Sequence, residues 1–79
     1  MLYQISTNIR KPYYEVEEFI GELMSLINET QEGYRPAWVM QPSVDQTEGQ
    51  SWLITMFNID KPTIDLLNFE SDFIIETQD

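Results

Sequence analysis

The stretch PYYEVEEFIGELMSLINETQE, Pro12 to Glu32, decides the fold of this 79-residue chain. Turned about 100° per residue from Val16, the side chains of Ile20, Leu23 and Ile27 fall within about 40° of it. Phe19 and Leu26 lie on one flank, Tyr13 and Met24 on the other. The apolar arc is roughly 160° wide, broader than a coiled-coil seam, and suits a helix laid across a sheet. Pro12 fits the first helical position, where the N–H it lacks would go unbonded. Glu15, Glu17 and Glu18 sit at the positive end of the macrodipole. Gly33 is a natural residue to follow the helix, at C′.

The other face of this helix is acidic. Glu15, Glu18, Glu22 and Glu29 fall within about 60° of one another, at offsets of three, four and seven residues. Like charges three or four residues apart destabilise a helix by about 0.2–0.5 kcal/mol per pair. No Lys or Arg lies between Pro12 and Gly33 to offset this. Tyr14 lies about 160° from the apolar stripe, among the glutamates. The stripe serves solubility, or it is a surface for a basic partner.

Composition narrows the function. Fourteen acidic residues face four basic ones, Arg10, Lys11, Arg35 and Lys61, for a net charge of −10. Direct binding to nucleic acid needs Lys and Arg to displace counterions from phosphates, so this balance argues against it. It also argues against anionic membranes. The same field draws in basic protein surfaces. The aromatic content, 13%, argues for a packed core despite the charge. There is no cysteine, hence no disulfide framework and no thiolate metal site. No signal peptide and no spanning segment is legible, so a cytoplasmic protein is the expectation.

Outward from the helix, residues 2–9 alternate: Tyr3, Ile5, Thr7 and Ile9 on one face, Gln4, Ser6 and Asn8 on the other. That is a half-buried strand. Residues 37–41, bracketed by Pro36 and Pro42, read as a second strand. Residues 43–50, with Asp45, Glu48 and Gly49, read as a hairpin loop. Residues 51–59 read as a third strand, with Trp52, Ile54 and Met56 on one face and Leu53, Thr55, Phe57 and Ile59 on the other. Apolar residues on both faces predict a central strand, or one covered on its second side by the segment that follows or by another subunit. Residues 63–69 fit either a short helix starting near Pro62 or an irregular crossing. Residues 71–77 read as a last strand, with Gln78 and Asp79 fraying. The expected fold is α+β: one domain over residues 1–79, with one amphipathic helix on a mostly antiparallel three- to four-stranded sheet, in the order β-α-β-β-β.

Catalytic apparatus is sparse. Without His or Cys, the usual nucleophile–base pairs cannot form. The lysines flank prolines rather than apolar runs, which disfavours Schiff-base chemistry. Gly21, Gly33 and Gly49 are too far apart to cradle a phosphate. Asp65, Glu70 and Asp72, with Asn68, are the nearest thing to an oxygen cluster, but not at calcium-loop spacing. A non-enzyme without cofactor or metal is expected.

Two uses of such a chain follow. One is a non-enzymatic binding protein that offers Glu15, Glu18, Glu22, Glu29 and Tyr14, with Asp65, Glu70 and Asp72, to the basic surface of a nucleic-acid-binding protein. Its sharp form is a DNA mimic, with carboxylates standing in for phosphates. In size, charge and compactness the chain resembles the small acidic inhibitors that phages make against host nucleases and restriction or CRISPR complexes; no sequence motif carries that resemblance. The other is a structural or interaction module whose acid only keeps it dissolved, while its aromatic sheet face mediates homo-oligomerisation, a homodimer included, or docking to a larger assembly. Trp38 and Trp52, on the two strands of the hairpin, are expected as core or cross-strand partners.

Overall fold

The alternating residues at the N-terminal side form strand β1, Leu2–Ile9. Helix α1 follows as Tyr13–Thr30, then β2 as Ala37–Pro42 and β3 as Trp52–Asp60. A short helix α2, Lys61–Leu66, and a single 3₁₀ turn, Phe69–Ser71, lead into β4, Ile74–Thr77. This computed structural model describes residues 1–42 and 51–78. The expected hairpin loop at 43–50, with Asp45 and Glu48, and the expected fraying of Asp79 lie outside the described residues.

The sheet is antiparallel throughout, in the order β2-β3-β1-β4. β3 is therefore a central strand, as its two apolar faces predict. β1 and β2 both run against β3, so they are parallel to each other with β3 between them. β3 and β4 are related in the same way across β1. The chain is thus two interleaved split β-α-β units, the first using α1 and the second the much shorter α2.

One apolar layer holds the helices to the sheet. Val16, Ile20 and Ile27 from α1 meet Ile5 from β1, Ile54, Met56 and Ile59 from β3, and Ile64 and Phe69 beyond it. The apolar arc of α1 is narrower than the wheel predicts. Its flanking residues Phe19 and Leu26 are 38% and 44% exposed, and Tyr13 is 45% exposed. The helix also ends sooner than Glu32. Pro12 is the N-cap rather than the first helical residue, its carbonyl accepting from the Glu15 and Val16 N–H groups. Gln31 is the C-cap, so Gly33 falls one residue past C′, where its positive φ of 88° turns the connection. The two tryptophans are not cross-strand partners. Trp38 stands opposite Met56, and Trp52 stands opposite Pro42. Trp52 packs edge-on against Tyr13, ring centres 5.4 Å apart, while Trp38 is 41% exposed.

Strict alternation puts Ile59 on the wrong face. Tyr3 pairs with Ile59 and Ile5 with Met56, so two steps along β1 answer three along β3. The extra residue makes a β-bulge. Asn58 takes the left-handed conformation there, with φ 65°. Asn tolerates that region better than most non-glycine residues. The bulge returns Ile59 to the side of Ile54 and Met56, and all three are fully buried.

Gln31 fastens this bulge to the end of α1. Its buried carboxamide donates to the Asn58 carbonyl at 2.6 Å and to the Tyr34 carbonyl at 3.2 Å, and accepts from the Asp60 N–H at 2.9 Å. Asn58 in turn donates from its side chain to the Arg35 carbonyl, donates its backbone N–H to the Gln78 side-chain oxygen, and accepts from the Gln78 side-chain amide at its own Oδ1. Gln78 is therefore tied down rather than frayed, and its own N–H bonds the Leu2 carbonyl at 3.1 Å.

Removing the Gln31 carboxamide strands two polar groups of the bulge, each costing about 1–3 kcal/mol if it stays dry. Gln31→Ala is therefore expected to lower stability by about 2–3 kcal/mol in chemical denaturation. Asn58→Gly keeps the left-handed φ and is expected to cost under about 1 kcal/mol, whereas the β-branched Asn58→Val is expected to cost several times more.

Candidate partner-binding groove

Helix α1 is long because its apolar period runs unbroken to Ile27, and it rises about 27 Å across the sheet. Its companion is not. Asp60 caps α2 by accepting from the Thr63 N–H at 3.0 Å, and Pro62 suits the first turn. Yet α2 ends at Leu66 after six residues, about 9 Å. Asn68 then turns the chain through a second left-handed residue, φ 56°. β4 is equally brief and pairs only with Tyr3, Gln4, Ile5 and Ser6. Beyond Ser6, the stretch of β1 from Thr7 to Ile9 has β3 on one side and, among the described residues, no strand on the other.

The quadrant left uncovered among the described residues is a groove of about 620 Å³. Glu15, Glu18 and Glu22 stand along its α1 side, and Asp72 comes from the side of the chain after α2. Between them the lining is apolar: Phe19 and Leu23 from α1, then Leu67, Phe69 and Phe73. Thr7 and Ile9 of β1 also reach it, and Lys11 is its one basic residue. Phe69 and Phe73 brace each other edge-on, ring centres 5.1 Å apart. The aromatic side is therefore built in rather than loosely hung.

The candidate residues read from sequence separate into groups. Glu15, Glu18, Glu22 and Asp72 come together around the groove. Glu29 continues the same helix face but lies beyond the groove lining. Tyr14, 63% exposed, is on the opposite flank, where a second hollow of about 440 Å³ is lined by Tyr14, Glu17, Glu18, Gly21, Met24 and Trp38 among others. Asp65 and Glu70 are engaged elsewhere: both pair with Lys61, at 2.9 and 3.3 Å. These are the ion pairs among the described residues, so none of the groove carboxylates has a cationic partner there. Among the described residues, no three acidic side chains gather in an arrangement that could hold a metal ion.

Sequence reasoning missed the groove's apolar part. Phe19 belongs to the apolar arc on a wheel, and only its place at the edge beside Glu15 and Glu22 hints at a dual role. Phe73 and Leu67 read as ordinary strand and crossing residues. No helix of the described residues is long and apolar enough to cross a membrane. No family model, curated protein or solved structure matches the chain.

Hydrogen bonding from Asp65, then Glu70, raises the pKa of Lys61 above its ordinary value. A raised lysine pKa means the folded state holds the proton more tightly. The stabilisation is thus fully present below the unfolded value near 10.4 and is lost as pH climbs through the folded one. The stability difference between the wild type and Lys61→Met is expected to be constant from neutral pH to about 10 and to shrink above it, as read by paired denaturation curves. An unchanged gap at high pH would show that Lys61 acts by packing alone.

Proposed function

We propose that this chain is a small non-enzymatic binding protein that occupies a basic surface on a nucleic-acid-binding protein, and so inhibits it as a nucleic-acid mimic would. A cytoplasmic site of action goes with this proposal. The observation that supports it is the grouping of Glu15, Glu18, Glu22 and Asp72 around one opening, without a cationic partner among the described residues. Solubility alone does not require a carboxylate to stand across the opening from the acidic helix face, as Asp72 does. Along α1 the carboxylates are about 4.5 and 6 Å apart in rise, which by itself is a short row. Asp72 adds charge from the other side, so the anionic feature has width as well as length.

A second reading, as a self-associating module, draws on the opposite face of the sheet. Ala37 and Phe57 are register partners there, as are Val39 and Thr55. Val39 and Ile74 are 49% and 67% exposed. Against it stands the net charge, since two copies at −10 each repel.

Replacing Glu15, Glu18 and Glu22 by Lys tests the first reading. These side chains lie at the surface, so the variant is expected to keep its circular dichroism and thermal transition. It is expected to lose at least tenfold in affinity for a basic nucleic-acid-binding partner, and wild-type binding is expected to weaken with salt and to be competed by duplex DNA. Undiminished binding by the triple variant removes these carboxylates from the interface. Val39→Lys in size-exclusion chromatography with light scattering separates the readings further. A wild-type dimer that becomes a monomer on this change favours self-association.

A further inference from the structure

We infer that the groove between α1 and residues 67–73 receives a basic amphipathic helix of the partner, which completes the helical layer that α2 leaves short. This deepens the binding reading above and rests on it. The first support is the shape of the fold. Among the described residues α1 is the one helix that crosses the sheet, because α2 and β4 stop after six and four residues. A helix with its side chains is about 10–12 Å across and packs on a neighbour at about 8–10 Å. The place beside α1, above Thr7 and Ile9, is left open among the described residues, and it is where a longer second helix of this topology would lie.

The second support is the lining. Phe19 is 38% exposed although it flanks the core stripe, and Leu23, Leu67 and Phe73 are only partly covered. An apolar strip of this kind takes side chains at i, i+3, i+4 and i+7 of an incoming helix. The third support is charge. Four carboxylates border the strip against a single Lys11. Glu15, Glu18 and Glu22 recur at three, four and seven residues, so Lys or Arg at the same intervals on an opposed helix can meet them in series. The occupant needs an apolar face with basic margins, a combination that neither a nucleic acid nor an acidic peptide has.

An extended peptide is the weaker fit. Strand addition would have only Thr7 to Ile9 of β1 to pair with, three residues. A helix is also what a nucleic-acid-binding protein commonly offers, since the major groove of DNA admits one and basic recognition helices lie in it. On this view the chain copies the groove that holds the helix more than the row of phosphates beside it.

The test uses the whole protein and three fluorescent probes of equal charge. One is a Leu–Lys peptide of about four helical turns, with Leu at i, i+3, i+4 and i+7. The second is its scrambled isomer, and the third is oligolysine. The amphipathic peptide is expected to bind one to one, at least tenfold tighter than either control, and to gain helical circular dichroism on binding. Amide and methyl shifts in the wild type are expected at Phe19, Leu23, Leu67 and Phe73. Phe19→Ala is expected to weaken binding about tenfold, in the range for an anchor residue. Gly21→Ala, on the opposite flank and with nothing within 4 Å of the added Cβ, is expected to leave it unchanged. Because the shift map uses the unmodified protein, the outcome does not hinge on how Phe19→Ala folds. Equal binding by the scrambled peptide or oligolysine, a bound probe without helical signal, or shifts centred on Tyr14 and Trp38 overturns the helix-in-groove assignment while leaving an acidic binding surface standing. Binding by none of the three cationic probes overturns both.

Discussion

A single carboxamide, that of Gln31, joins the end of α1 to the bulge in β3. It donates to the Asn58 carbonyl and accepts from the Asp60 N–H, so both of its ends are spent on the same irregularity. The bulge is what turns Ile59 inward beside Ile54 and Met56. It also leaves Asp60 extended at the head of α2, where its side chain caps that helix. The position of α1 along the sheet, the filling of the core at that end and the start of α2 therefore depend on one buried polar contact. A small domain buries only about 60% of its unfolded surface, so it has little spare apolar area with which to replace such a contact.

Much of this fold is legible in the sequence because its elements are long and periodic. The stripe of Val16, Ile20 and Ile27 and the alternation around Ile5 each state their geometry directly. What escapes is what depends on a single backbone choice. Asn58 inside an apolar strand looks like one more polar residue, and a two-residue period cannot register a residue inserted by a left-handed turn. The face of Ile59 is misread for that reason. The end of α1 is misread for a related one: Gly33 does adopt positive φ, but Gln31 had already stopped the helix through side-chain bonds to residues 27 positions or more away. The groove was only half visible. Its glutamates follow from the helical wheel, whereas its apolar lining exists because α2 and β4 are short, and shortness is set by the turns at Asn68 and the 3₁₀ segment rather than by a pattern.

The acidic character carries an energetic consequence for α1. Its glutamates repel one another at helical spacing, and the chain's four bases sit outside the helix. Lys61 pairs with Asp65 and Glu70, which lie off the groove, and not with the acids on it. The helix is held in place by its buried stripe, so it can carry that repulsion without unfolding. A cationic surface that arrives there relieves a strain already present in the free protein. Its binding is then expected to stabilise α1 as well as to form new contacts.

The position of β1 in the sheet bears on how the chain acquires its shape. β1 is the first strand in sequence, yet its two neighbours, β3 and β4, are encoded long after it. During synthesis neither of these neighbours can pair with it until residues 52–60 have emerged. α1, by contrast, needs only its own eighteen residues to form turns, and β2 with β3 can close as a local antiparallel pair. The order of assembly thus favours a helix and a ribbon first, with the opening strand inserted between the ribbon and the segment that follows it. A sheet built this way receives Leu2 to Ile9 late, and keeps that strand available to a chaperone until its neighbours are in place.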